Sequence, residues 1–182
     1  MIRLRRSIWR RFAKSERGVA AVEFATVVPV LGLMFLASFD GGRGIAVYMK
    51  VRAASYTLSA IANQYAVIKD ADMNEIFAAT DKVLTPFSTG PLALTVSQIA
   101  IDATGKATVS WSSTQGGTAR SVGSSISVPT NLATPNSYLI LGETKYNYAP
   151  MFGYFNNGGA ISLSDSLFVT PRSTASIVRT SP

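Results

Sequence analysis

Arg17-Gly18-Val19-Ala20-Ala21-Val22-Glu23-Phe24 decides how this chain reads, because everything changes across it. Upstream stand Arg3, Arg5, Arg6, Arg10, Arg11, Lys14 and Arg17, opposed by Glu16 alone. Downstream, Val19 to Phe39 is apolar apart from Glu23, Pro29, Gly32 and Ser38. Such a run has about the length of one membrane crossing, roughly 20 residues. A carboxylate at mid-bilayer costs roughly 2.5 kcal/mol or more. Glu23 sits close to the start of the run, where headgroups lower that cost, but its presence still requires a reason.

Composition narrows the possibilities. Net charge is +7, from 17 basic and 10 acidic residues. The segment up to Gly18 holds most of that excess, and the remainder is close to neutral. The high isoelectric point is therefore a property of a flank, and nucleic-acid binding is not expected. A basic arm before an apolar helix predicts a cytoplasmic amino terminus and a periplasmic body in a bacterium. The chain has no Cys and no His. That rules out a disulfide framework, thiolate or imidazole metal sites, and Ser-His-Asp or Cys-His catalysis. Asp102, Glu143 and Asp165 are scattered carboxylates without a surrounding motif, and the glycines match no phosphate-binding fingerprint. Asp102-Ala103-Thr104-Gly105 has the look of an aspartic-protease triplet but stands where a hairpin must turn. No catalytic residues, metal site or cofactor are expected.

Taken in order, residues 1–18 read as a basic leader, 19–39 as a transmembrane helix and 40–182 as one periplasmic domain. An ordinary secretory signal competes for the first two, but Leu36-Ala37-Ser38 is a poor cleavage site. Pro29 removes one helical donor and predicts a bend. Asp40-Gly41-Gly42-Arg43-Gly44 predicts either the end of the span or a pliable joint. From Ile45 to Lys69 a helical stripe resumes at Val47, Val51, Ala54, Leu58, Ile61, Tyr65 and Ile68, with Lys50, Arg52, Ser55, Ser59 and Asn63 off it. An unbroken helix from Val19 to Lys69 would measure roughly 75 Å. Asp72 and Glu75 predict a capping box opening a second helix, whose buried stripe is Met73, Ile76, Phe77, Thr80, Val83 and Leu84 and whose end is Thr85-Pro86.

Strands follow. Leu92, Leu94 and Val96 alternate, then Ile99 and Ile101 take the opposite parity, which a bulge near Gln98 would reconcile. Ala107, Val109 and Trp111 complete a hairpin across Asp102–Gly105. Ser112 to Asn136 is a polar loop with room for a short strand at Ile126–Val128. Leu139 to Tyr148 and Ile161 to Val169 are further strands. Between them a loop holds Met151, Phe152, Tyr154 and Phe155, either folded back on the core or exposed as a contact patch. The last ten residues read as an edge strand or a tail. The expected fold is α+β: an N-terminal transmembrane helix running into an amphipathic helix packed on an antiparallel sheet of about four to five strands.

The basic leader, Gly18, the four small or apolar residues after it, Glu23-Phe24-Ala25 and Val28-Pro29-Val30-Leu31 resemble the TadE-like family, pilin-like proteins of tight-adherence (Flp-type) pilus systems. The match covers about the first third of the chain. It implies cleavage between Gly18 and Val19 by a prepilin peptidase, with Glu23 and Phe24 as the processing and assembly motif. Val19 departs from the Phe or Met that usually begins classical type IV pilins, and fits pilin-like minor subunits better. Cleavage would expose a cationic amine at Val19, and Glu23 lies one turn along on the same flank. In an assembly Glu23 could pair with a neighbour's amine; otherwise it lies at the membrane interface and reaches out. The resemblance implies a non-enzymatic minor pilin or pseudopilin, with the inner membrane, the prepilin peptidase and other pilin and pseudopilin subunits as partners. A membrane-tethered periplasmic binding module outside any filament is the alternative.

Overall fold

The computed structural model describes residues 16–152, 159–172 and 175–180. The leader as far as residue 15, and Tyr154, Phe155 and Asn156-Asn157-Gly158 of the aromatic loop, lie outside the described residues. The order is α1 (Glu16–Ala62), β1 (Val67–Ile68), α2 (Asp70–Val83), β2 (Leu92–Ile101), β3 (Ala107–Gln115), β4 (Ser137–Tyr148), β5 (Ile161–Val169) and β6 (Val178–Arg179). Contacts divide the chain into two compact units, up to Arg43 and from Gly44 onward.

In the second unit β2 to β5 form an antiparallel sheet in the order β3-β2-β4-β5. Residues 44–62 of α1 pack on one face, which makes the fold α+β. Val47, Val51, Ala54, Leu58 and Ala62 join Leu94, Val96, Ile140, Tyr146 and Tyr148 in one buried cluster, completed by Met73, Ile76 and Phe77 of α2. The sheet carries a second, smaller core on its other face. There Ile99, Ile101, Ala107, Val109, Leu139 and Leu141 are covered by Ile126, Val128 and Leu132 of the long loop.

That second core explains the parity change in β2. The expected bulge exists, but the extra residue is Ser110 of β3, because Gln98 pairs with Trp111 and Ile99 with Val109. β2 itself stays in unbroken register with β4. Ile99 and Ile101 therefore do not rejoin the first face; they point to the opposite one and bury there.

Several expectations need correction. α1 ends at Ala62, not Lys69. Its last turn tightens, Gln64 N–H donating to Ile61 O and Tyr65 N–H to Ala62 O, and the β-branched pair Val67-Ile68 then pairs in parallel with β6. Of the last ten residues, expected as an edge strand or a tail, Val178–Arg179 form the short strand β6, parallel to β1. Ser55, Ser59 and Asn63, expected off the buried stripe, are buried. The Ser55 hydroxyl donates to Asp165 O (3.1 Å) and the Ser59 hydroxyl to Leu167 O (3.3 Å). Small hydroxyls can bury when a strand carbonyl receives them. Facing Ser59 is Gly142 of β4, where an added Cβ would overlap the Ser59 hydroxyl and come within 3.3 Å of Ser55 O.

The capping box of α2 stands three residues earlier than expected. Lys69 is the N-cap, and its N–H donates to the Asp72 carboxylate at 2.8 Å. Ile126–Val128 forms no strand; a single bridge joins Ser125 to Thr108. The stretch nevertheless covers the second core. The hairpin turn is as expected: Asp102 Oδ1 accepts from Thr104 N–H (2.8 Å), the Thr104 hydroxyl (2.6 Å) and Lys106 N–H (3.0 Å), and Gly105 takes φ +83°.

Candidate membrane segment and assembly motif

Gly18, Val19, Glu23, Phe24 and Pro29 all lie within α1. Pro29 leaves the helix assigned as one element, as do Gly41, Gly42 and Gly44. The stretch from Gly18 is long and apolar enough to cross a membrane, and none of its apolar window is buried within the structure. Large apolar side chains stand open along it, among them Val22, Phe24 (70 % exposed), Leu31, Met34 and Phe35 (71 %). A core helix would have buried one face. Here the apolar surface runs round the helix, the pattern of a segment whose solvent is lipid.

Polar groups within the segment are handled locally. The Thr26 hydroxyl donates to Glu23 O and the Ser38 hydroxyl to Met34 O, each at 2.8 Å. Hydroxyls that bond back to their own helix can face lipid without an unsatisfied donor. The Glu23 carboxylate has no such recourse, since it can only accept. Val19 and Glu23 stand four residues apart, hence on neighbouring positions of one flank. The arrangement offers a carboxylate at one end of an apolar surface, suited to accept a cation brought by another helix.

The second unit carries polar features that sequence reasoning did not find. One half of the sheet face opposite α1 is covered by the smaller core. The other half is an open trough of about 880 Å³, floored by Thr95, Glu143, Lys145, Ser164 and Ser166 and edged by Gly116 and Gly117. Arg120 closes one side with a bidentate pair to Glu143, at 2.6 and 2.7 Å. The Glu143 hydrogen bonds raise the Arg120 pKa further above its usual value. In the hairpin, the Thr104 hydroxyl and then the Lys106 N–H hold the Asp102 carboxyl below the usual carboxylate range. Among the described residues no group of three or more acidic side chains is placed to hold a metal.

The carboxy-terminal segment is tied down by side chains rather than by apolar burial alone. Ile177 N–H donates to Gln98 Oε1 (2.6 Å), and Trp111 Nε1–H donates to Ile177 O (2.9 Å). Arg179 pairs with Asp70 and donates to Ile68 O and Ser113 Oγ, at 3.2 Å each. A lone Gln, Trp or Arg gives no sequence signal for such partners, because each lies more than 60 residues away along the chain.

No curated protein and no solved structure matches the chain. Residues 18–58, which hold Gly18, Val19, Glu23, Phe24 and Pro29, match the model of the family described as TadE-like protein, the family that the sequence resembles.

Proposed function

We propose that this chain is a non-enzymatic, single-pass subunit acting in the assembly of a Tad (Flp-type) adhesion pilus, as a minor pilin or pseudopilin. The observation that carries the reading is the TadE-like match over residues 18–58, whose first half is an apolar helical stretch with none of its apolar window buried. In this reading the basic leader stays in the cytoplasm, the residues beyond the span lie in the periplasm, and a prepilin peptidase cuts between Gly18 and Val19. Lateral packing of apolar helices then holds the subunit among other pilins. Glu23 accepts the Val19 amine of a neighbour; an opposite charge in low dielectric offsets much of the cost of burial.

Sequencing the amino terminus of the protein isolated from its native membrane tests this directly. The expected start is Val19. A start at Met1 indicates a tethered module outside any filament, and a start near Phe39 indicates a secreted protein. Deleting the gene should abolish or reduce piliation. Wild-type piliation in the deletion strain would refute the assembly role whatever the amino terminus.

A further inference from the structure

The sheet has two edges, and they are treated differently. At the β3 edge the long loop supplies partners: Val109 N–H donates to Ser124 O, Gly123 N–H to Val109 O and Ile126 N–H to Ala107 O. Farther along, Ser112 accepts from Arg120 N–H and Ser113 from Arg179. At the β5 edge nothing comparable occurs among the described residues.

Which groups of β5 are open follows from the ladder. Asn147 N–H donates to Pro91 O, on the β2 side of β4. Peptide groups alternate sides along a strand, so the odd-numbered residues of β4 bond β2 and the even-numbered ones bond β5. Those even residues pair with Ile161, Leu163, Asp165, Leu167 and Val169. The peptide groups of Ser162, Ser164, Ser166 and Phe168 therefore point away from the sheet. Among the described residues no backbone partner meets them. The edge also lacks the usual defences of Pro, Lys or a bulge: β4 and β5 pair without interruption from Ile161 to Val169, and Asp165 is the single charge.

One wall of the α1 side stands beside this edge. Ser55 and Ser59 reach β5 carbonyls. At about 100° per residue, Ile45, Met49, Arg52 and Tyr56 fall on the flank adjoining those serines and away from Val51, Ala54 and Leu58. Ile45 (64 %), Met49 and Tyr56 (both 65 %) are exposed. A strand added to β5 would thus gain main-chain bonds from the edge and meet Arg52 and Ile45, which fall closest round the helix to Ser59, whereas Met49 lies opposite Leu58. A second copy of β5 fits poorly. Full antiparallel overlap about Asp165 sets the two Asp165 carboxylates directly opposite one another, at a pair where side chains are closest and like charges destabilise. Arg52 makes no ion pair with Asp165 to relieve this.

We infer that the β5 edge receives an extended segment of a different protein, one that sets a Lys or Arg opposite Asp165 between apolar residues facing the α1 flank. The site lies wholly in the unit from Gly44 onward and does not depend on the membrane reading.

The full chain in lipid nanodiscs, with empty nanodiscs as blank, provides the test. The probes are two blocked, labelled nine-residue peptides of alternating Thr and Val, one with a central Lys and one with a central Glu. The Lys peptide should bind roughly tenfold tighter than the Glu peptide and slow hydrogen exchange across residues 161–169. Asp165→Lys should reverse the preference. Ser164→Pro, which removes an outward-facing N–H and leaves the β4 ladder intact, should abolish both. Absence of binding at millimolar peptide, or equal binding of the two peptides, would overturn the inference. So would slow exchange of the outward amides of Ser162, Ser164, Ser166 and Phe168 in dilute protein alone, or their slowing with protein concentration in the absence of peptide, which would make a second copy the occupant.

Discussion

Gly142→Ala is the sharpest probe of how α1 sits on the sheet. The added methyl would overlap the Ser59 hydroxyl and stand 3.3 Å from both Ser59 Cβ and Ser55 O. Rotating Ser59 removes the first overlap at the expense of its bond to Leu167 O, roughly 1 kcal/mol. The remaining two contacts involve a Cβ and a main-chain carbonyl of a buried helix, so the helix must retreat by a few tenths of an ångström. Overpacking of this kind costs about 1–3 kcal/mol. Replacing Gly within a strand returns roughly 0.5–1 kcal/mol of chain entropy. The net expectation is a loss of about 2 kcal/mol, a fall in Tm of roughly 6 °C for a domain of this size. Thermal unfolding of the full chain in detergent, followed by Trp111 fluorescence in a Trp9→Phe background, measures it. Ser59→Ala with Gly142→Ala should recover at least about 1 kcal/mol relative to the sum of the single changes, since the colliding atom is gone. A Gly142→Ala protein as stable as wild type, or strict additivity in the cycle, would refute the close approach of α1 and β4.

Three further outcomes are expected. Glu23→Ala should leave cleavage at Gly18 intact yet reduce piliation, read by amino-terminal sequencing and electron microscopy of the same strain; normal piliation would remove the pairing role. Trp111→Phe should cost about 1–2 kcal/mol, because the Ile177 carbonyl loses its donor, and should speed amide exchange at 177–180 before any other part of the sheet. For Asp102 the folded-state pKa is depressed, so its contribution is fully present above the unfolded value of about 3.9 and disappears as pH falls through the lower folded one. The Thr104 and Lys106 amides should therefore lose protection only in acid, and in Asp102→Ala they should be unprotected at every pH.

Much of the architecture could be read from residue spacing. Val47, Val51, Ala54 and Leu58 repeat at helical intervals, and Leu92, Leu94 and Val96 alternate as a strand does, because one-sided burial leaves a period. Alternation also puts Trp111 on the face of Ala107 and Val109, but the bulge at Ser110 turns it to the other core. The TadE-like segment was legible for a different reason: the basic leader, Gly18, Glu23-Phe24, Pro29 in the apolar run and the Asp40-Gly41-Gly42-Arg43 exit resemble that family together, although Glu23 alone would have been a weak signal. What escaped was polar and long-range. Ser55 and Ser59 read as solvent-facing, because their partners are carbonyls a hundred residues away, and a main-chain acceptor has no side-chain signature. The two-sided burial of the sheet hid in the same way. Ile99 and Ile101 broke the alternation of β2, yet only the fold of the 116–136 loop shows that a second core receives them. Lys69 was missed as the start of α2, since its N–H uses the Asp72 carboxylate while its own side chain carries no capping signature.

The ties at Ile177 bear on the timing of folding. Gln98 and Trp111 each send a polar atom to that one late residue, and β6 alone partners β1. A polypeptide emerging during synthesis presents β2 to β5 long before Ile177 arrives, so both side chains wait without that partner. The domain is then complete only once Ile177 and β6 have been made. Premature termination upstream of Ile177 leaves a protein with two interior polar groups stranded and a loosened seam along Val67-Ile68, a state open to proteolysis before it can meet any partner.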